Sequence, residues 1–201
     1  MTGSTPEAPE PDLSIEAGWL LQARQFASPN FDARPANLPI DLIVIHCISL
    51  PPGQFGGDNI DRFFANRLPA GEHRYFHQLE GLAVSAHVLL RRDGEFVQYV
   101  NFDQRAWHAG VSSHAGRSRC NDFSIGIELE GAEDQPFERV QYHQLVALVR
   151  ALQDYYPAIG RQHGRAAIVG HEDIAAGRKT DPGPLFSWQL FESILNRTRR
   201  V

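Results

Sequence analysis

The sequence predicts an α/β fold built on a mixed sheet, and three observations predict it. Leu42–Ser49 is an apolar, β-branched run that reads as a buried strand, and Phe123–Glu130 alternates apolar and polar residues with the period of a strand. Arg139–Tyr156 carries its apolar side chains at helical spacing. Strands and helices interleave along the chain, which is the order of an α/β domain. The 201 residues are enough to bury a sizeable core without disulfide staples.

Residues 1–14 are rich in Pro, Glu, Ser and Thr and read as a disordered leader to a single domain over 15–201. A short helix is expected over Ile15–Ala23, where Trp19, Leu20 and Ala23 can share a face. Ser28-Pro29-Asn30 and Arg34-Pro35 then interrupt regular structure. Pro39 and Pro51 bound the first long strand, Leu50–Gly57 is a Pro- and Gly-rich loop, and a helix of about two turns follows from Asn59 or Ile60 to Asn66. Residues 67–82 show no usable pattern. Val84–Arg91 and Glu95–Val100 read as strands joined by a hairpin at Arg92-Asp93-Gly94. Gly110–Asn121 reads as a polar loop. On the next strand, Phe123, Ile125, Ile127 and Leu129 take one face and Ser124, Gly126, Glu128 and Glu130 the other. The long helix presents Tyr142, Leu145, Val146, Val149 and Leu152 as one stripe and stops at Pro157. Ala166–Gly170 is a short strand, and Ser187 caps a last helix reaching about Asn196.

Lys plus Arg total 19 and Asp plus Glu 24, so the net charge of −5 provides no basic field for a nucleic-acid backbone. The first seven residues have neither a basic segment nor an apolar one, and no apolar run is long enough to span a membrane. Two cysteines, Cys47 and Cys120, fit a reducing compartment. Together these point to a cytoplasmic protein, expected as a monomer, with no nucleic-acid or membrane partner. Nine histidines exceed what packing requires, and histidine is both the commonest metal ligand and the usual acid–base residue near neutral pH.

The densest chemistry lies in Gly170-His171-Glu172-Asp173 and Arg178-Lys179-Thr180-Asp181-Pro182-Gly183-Pro184. His171 ends a strand, a loop returns to Asp181, and Lys179 and Asp181 project to one side if Pro182 and Pro184 keep the segment extended. A metal site needs deprotonated N or O donors gathered from separate segments, which strand ends and loops do well. The alternative is a Pro-capped loop with a surface ion pair. His46 lies at the end of the Leu42–Ser49 strand, where a lone histidine is more often a satisfied core residue than a ligand; alternation sends Cys47 to the opposite face, as a buried inert thiol. Glu128, with Gly126 leaving space beside it, can serve as a general base, although Glu130 on the same side favours a solvated strand face. Spacing alone does not bring His46 to His171.

The order of these segments carries more than any one of them. His46-Cys47-Ile48-Ser49-Leu50-Pro51-Pro52-Gly53, Val84-Ser85-Ala86-His87, Arg91-Arg92-Asp93-Gly94, Ala106-Trp107-His108-Ala109-Gly110, Ser124-Ile125-Gly126-Ile127-Glu128, Gly170-His171 and Lys179-Thr180-Asp181-Pro182-Gly183-Pro184 follow one another in a pattern that closely resembles the zinc-dependent N-acetylmuramoyl-L-alanine amidases. Within that family the resemblance is nearest to the cytosolic branch acting on 1,6-anhydro-muropeptides in peptidoglycan recycling. It implies a mixed sheet of about five or six strands flanked by helices, as in peptidoglycan-recognition proteins. It implies one Zn2+ held by His46, His171 and Asp181, with Glu128 taking the proton of the attacking water and Lys179 stabilising charge on the substrate carbonyl. A muropeptide, an anhydromuramoyl-peptide, is the implied substrate. Trp107 matches a position near a sugar ring and Arg119 one near a peptide carboxylate, with core packing and a solvated loop charge as the respective alternatives. His87 and His108 match groove or ligand-supporting positions, with ordinary packing as the alternative. Ala83 stands where the family often has a cation that grips the peptide. A non-catalytic peptidoglycan-fragment binder on the same fold, or a thiol hydrolase using Cys47, are the rival functions.

Overall fold

A computed structural model of the chain describes residues 11–160 and 166–197, so most of the expected leader lies outside the described residues. β1 (Ile15–Glu16) and β2 (Trp19–Leu20) pair antiparallel, Ile15 opposite Leu20. The helix expected over 15–23 is therefore a hairpin. Ala17 and Gly18 turn the chain with φ of 47° and 77°, the twist that two-residue hairpins favour. Gln98 holds it from afar, accepting from the Leu20 N–H (2.7 Å) and donating to the Gly18 carbonyl (3.0 Å). Local propensity does not register a partner so distant in the chain.

β3 (Arg24–Gln25), β4 (Phe31–Ala33) and the long β5 (Leu42–Ile48) follow, then α1 (Asn59–Phe64). The segment without a sequence pattern forms two 3-10 turns, Ala70–Glu72 and Arg74–Leu79. β6 (Val88–Leu90) and β7 (Phe96–Gln98) make the expected hairpin, with Gly94 at φ 96°. β8 (Gln104–Ala106) pairs with β4. Inside the expected 110–121 loop, β9 (Ser113–His114) and β10 (Arg117–Ser118) form a small hairpin. β11 (Ser124–Glu130), α2 (Arg139–Tyr155), β12 (Ile168–Gly170), α3 (His171–Ile174) and α4 (Trp188–Leu195) complete the described chain. Ser187 caps α4 as expected, its Oγ accepting from Leu190 N–H at 3.1 Å.

Six strands form the main sheet in the order β12-β5-β11-β6-β7-β3. The first four are parallel, β7 runs antiparallel to β6, and β3 parallel to β7. This is the mixed, helix-flanked sheet expected. On one face Ile43, Ile45, Ile125, Ile127, Leu129 and Ile168 pack against α2 and α4, each side chain contributing roughly 1.5–3 kcal/mol by leaving water. On the other face Leu42 and Val44 meet Ala109, Cys120, Val169 and Ile174. Phe123 joins this second cluster rather than the Ile125 face, because it closes the 3-10 turn Cys120–Asp122 before the strand begins.

Glu130 is not on a solvated face. It is 2% exposed, accepts from the backbone N–H of Gly56 (2.6 Å) and Arg92 (3.2 Å), and faces Arg91. Arg91 also pairs with Asp61 (3.2 Å), which takes the Tyr99 hydroxyl (2.5 Å). A buried carboxylate is tolerated where partners replace its water, and these partners tie the 50–57 loop and α1 to the end of β11.

Candidate metal centre

β12 ends beside the level at which the parallel strands β5 and β11 reach His46 and Glu128. In the sheet register His46 lies beside Glu128, and Ile45 beside Gly170, so His171 follows directly after β12. Open α/β sheets bind ligands at these carboxyl ends. Because Ile43 and Ile45 face α2, alternation turns His46 and Glu128 to the opposite face, and Cys47 back into the core under α2. Burial and the nearby Glu128 charge push the Cys47 thiol up, which disfavours the thiolate that a nucleophile needs. His171 opens the one-turn helix α3, and Asp181 returns after it, its carbonyl accepting from Glu172 N–H at 3.0 Å. The 181–184 segment turns rather than running extended, with Gly183 at φ 87°. Gly170 allows this approach, since a Cβ there would sit 2.9 Å from Pro182 Cδ.

His46 Nδ1 lies 3.0 Å from His171 Nδ1 and 3.1 Å from Asp181 Oδ2, and His171 Nδ1 is also 3.1 Å from Asp181 Oδ2. The three side chains are 2%, 3% and 13% exposed. Their other ring nitrogens are occupied: His46 Nε2 by His108 Nδ1 at 2.9 Å, His171 Nε2 by the Ala109 carbonyl at 3.2 Å. Two imidazole nitrogens and a carboxylate oxygen thus converge on one buried point, a donor set suited to a catalytic divalent cation with one position left open. Burial lowers the pKa of His46 to about 4. Burial alone would raise that of Asp181, but the His171 and His46 imidazoles against its Oδ2 outweigh it and hold the carboxyl well below its usual range. At neutral pH His46 is neutral and Asp181 ionised, as ligands must be.

Beside them Glu128 has its Oε2 buried without a hydrogen-bond partner. Burial, then repulsion from Asp181, hold its carboxyl well above the usual carboxylate range, while the Lys179 charge opposes them. A buried carboxyl whose proton affinity is raised above that of a free one is the kind of group that general-base sites use. Lys179 itself is exposed, and its charge acts on both Glu128 and His46.

The remaining expected residues separate. His108 supports His46, and its ring fills the space in front of Gly126, where a Cβ would come within 2.4 Å of it. His87 has no surface to offer a groove. It is wholly buried, with Nδ1 accepting from Gly126 N–H (3.0 Å) and Nε2 between Arg34 (3.0 Å) and the Gln104 carbonyl (3.1 Å). Trp107 is half-buried; Asp32 accepts hydrogen bonds from Arg105 and from Trp107, which keep its carboxyl below the usual range. Arg119 is 69% exposed and pairs with Asp122 at 3.2 Å. Ala83 lines a cavity of about 400 Å³ together with Phe63, Leu68, Phe76 and Leu79. Asn121 and Arg178, which no sequence pattern singles out as supports, hold the backbone around Ala109.

The family described as N-acetylmuramoyl-L-alanine amidase matches residues 36–184. The 1,6-anhydro-N-acetylmuramyl-L-alanine amidase AmpD of Escherichia coli (strain K12) is 52% identical over 185 residues, spanning 92% of this chain and 98% of that protein. A crystal structure of a selenomethionine AmpD derivative matches with a TM-score of 0.85 and 52% identity, over 90% of this chain and 98% of the other. The amidase AmiD from E. coli, solved with the substrate anhydro-N-acetylmuramic acid-L-Ala-D-γ-Glu-L-Lys, matches at a TM-score of 0.55 and 30% identity, over 91% of this chain and 65% of the other. Its sheet, its convergent donors and these likenesses agree: the chain belongs to the N-acetylmuramoyl-L-alanine amidase family.

Proposed function

We propose that the chain hydrolyses the amide between the lactyl group of 1,6-anhydro-N-acetylmuramic acid and L-alanine in muropeptides, as a zinc enzyme of peptidoglycan recycling in the cytoplasm. The observation that carries this reading is the convergence of His46, His171 and Asp181 beside a buried carboxylate with an unpartnered oxygen. Those three residues would hold the zinc. When bound, the ion supplies Lewis-acid stabilisation and makes water acidic enough to attack near neutral pH.

Glu128 takes the proton of the attacking water at its carboxylate and returns it to the departing alanine nitrogen, so the products are a lactyl carboxylate and a free amine. The Lys179 ammonium faces the oxyanion that develops on the carbonyl. Trp107 offers its indole face to the sugar and Arg119 its guanidinium to a peptide carboxylate. No cation stands at Ala83, so the peptide end relies on fewer charges than the family pattern provides. Binding alone gives no reason to keep a desolvated carboxylate at Glu128, which speaks against a purely sensory protein. The catalytic unit is a single domain over 15–201 that acts as a monomer. A net charge of −5 supports the absence of a nucleic-acid partner, and no helix among the described residues is long and apolar enough to cross a membrane. Mass spectrometry of zinc-loaded protein with anhydromuramoyl-tripeptide should find free anhydromuramic acid and tripeptide; intact substrate after prolonged incubation would refute the activity.

A further inference from the structure

We infer that the segment Trp107–Gly110 is a positioning strap for the metal centre: the His108 side chain and the Ala109 carbonyl set the tautomer and orientation of both histidine ligands, and Asn121 and Arg178 hold the strap. The inference rests on the zinc reading above. His46 lies on β5 and His171 opens α3, yet their outward nitrogens meet consecutive residues, His108 Nδ1 at 2.9 Å and Ala109 O at 3.2 Å. A carbonyl only accepts, so His171 carries its proton on Nε2 and keeps a lone pair on Nδ1. The same follows for His46 by tracing its bonds outward. Ser124 Oγ donates its one proton to the Cys120 carbonyl at 2.6 Å and therefore accepts from His108 Nε2 at 3.2 Å. His108 Nδ1 is left with a lone pair and accepts from His46 Nε2–H. Both Nδ1 lone pairs then point at the centre shared with Asp181, the arrangement by which outer hydrogen bonds orient metal-binding imidazoles.

The strap is itself fixed from behind. Asn121 Oδ1 accepts from the backbone N–H of His108 (3.2 Å) and Ala109 (2.8 Å). Arg178 Nη2 donates to the carbonyls of Ala109 and Val111, both at 2.7 Å. The Ala109 oxygen thus accepts from Arg178 and His171 together, using both of its lone pairs. Gly126 completes the seat, because any Cβ there would meet the His108 ring at 2.4 Å.

The test is the zinc affinity of the full chain, by competition with a chromogenic chelator, for native protein, His108→Leu, His108→Asn and Arg178→Ala. Asparagine places Oδ1 where His108 Nδ1 stood and still accepts from His46 Nε2–H, whereas leucine does not. His108→Leu should bind zinc about 10–100-fold more weakly, His108→Asn should recover most of that loss, and Arg178→Ala should weaken binding to a smaller degree. Long-range proton–nitrogen NMR of the zinc-loaded native protein should show both His46 and His171 protonated on Nε2. Native affinity in His108→Leu, equal losses in the Leu and Asn variants, or a proton on His46 Nδ1 would overturn the inference. Circular dichroism of the metal-free variants checks folding; if His108→Leu does not fold, the NMR tautomers and Arg178→Ala decide. Native protein that binds no zinc would instead overturn the metal-centre reading itself.

Discussion

Replacing Glu128 by glutamine should make the metal-free protein more stable and the zinc-loaded protein nearly inactive. Burial, then the Asp181 charge, raise the Glu128 carboxyl above its ordinary value of 4.5 in the fold, and Oε2 has no partner to compensate. The unfolded chain ionises this group near that ordinary value, while the folded chain keeps its proton to higher pH. Above pH 4.5 this group binds fewer protons in the unfolded state, so its own contribution to stability falls as pH rises, by up to about 1.4 kcal/mol per unit, against the opposite trend of the buried histidines. Glutamine does not titrate and escapes that loss. Relative to native protein the variant should gain at most about 0.8 kcal/mol at pH 5 and more at pH 7.5, the difference growing by no more than about 1.4 kcal/mol per pH unit. Urea unfolding of both proteins at the two pH values measures this difference. Loss of the general base should slow turnover on an anhydromuramoyl-peptide roughly 100–10,000-fold with zinc content unchanged. A variant no more stable than native at pH 7.5 would contradict the unpartnered carboxylate, and near-native turnover would remove Glu128 from the chemistry.

Asp181→Ala and His46→Ala should lose zinc and activity together, because two remaining protein ligands hold the ion poorly; full zinc occupancy by elemental analysis in either variant would contradict the ligand set. Lys179→Ala should keep its zinc but lose on the order of 100–1,000-fold in turnover, and Lys179→Arg should also be impaired, since a planar guanidinium does not reproduce a compact ammonium. Near-native rates in both variants would assign Lys179 to the loop surface instead. Finally, burial lowers the pKa of His46 to about 4 and holds His87 and His108 well below 6.5, so protonation below pH 6.5 favours the unfolded chain. The metal-free protein should lose stability steadily as the pH falls from 6.5 toward 4, read by thermal melts; constant melting temperatures across that range would refute the buried neutral histidines.

The parts of the fold that could be read from the sequence are those specified locally. The aliphatic run of β5, the strict alternation from Ser124 to Leu129, the stripe on α2 and the Ser187 cap each need only their near neighbours. The N-terminal hairpin escaped because Gln98, 80 residues from Gly18, holds it. Glu130 escaped because its partners, Gly56, Arg91 and Arg92, arrive from other segments. The centre had the same difficulty in sharper form. His46 and His171 lie 125 positions apart, and by physical reading alone His46 passes for a core residue; family resemblance joined them. Asn121 and Arg178 leave no trace in any short pattern, since each acts through backbone atoms whose identity any sequence shares.

The register of β11 against β5 has a consequence for quality control. A slip of one residue would turn Glu128 into the apolar layer under α2 and bring Ile127 or Leu129 beside His46, exchanging every side chain across the sheet. A chain misaligned on that strand therefore loses its core packing and its centre together. In fully zinc-loaded native protein, a fraction of molecules with that strand out of register would appear as an equal fraction of lost activity.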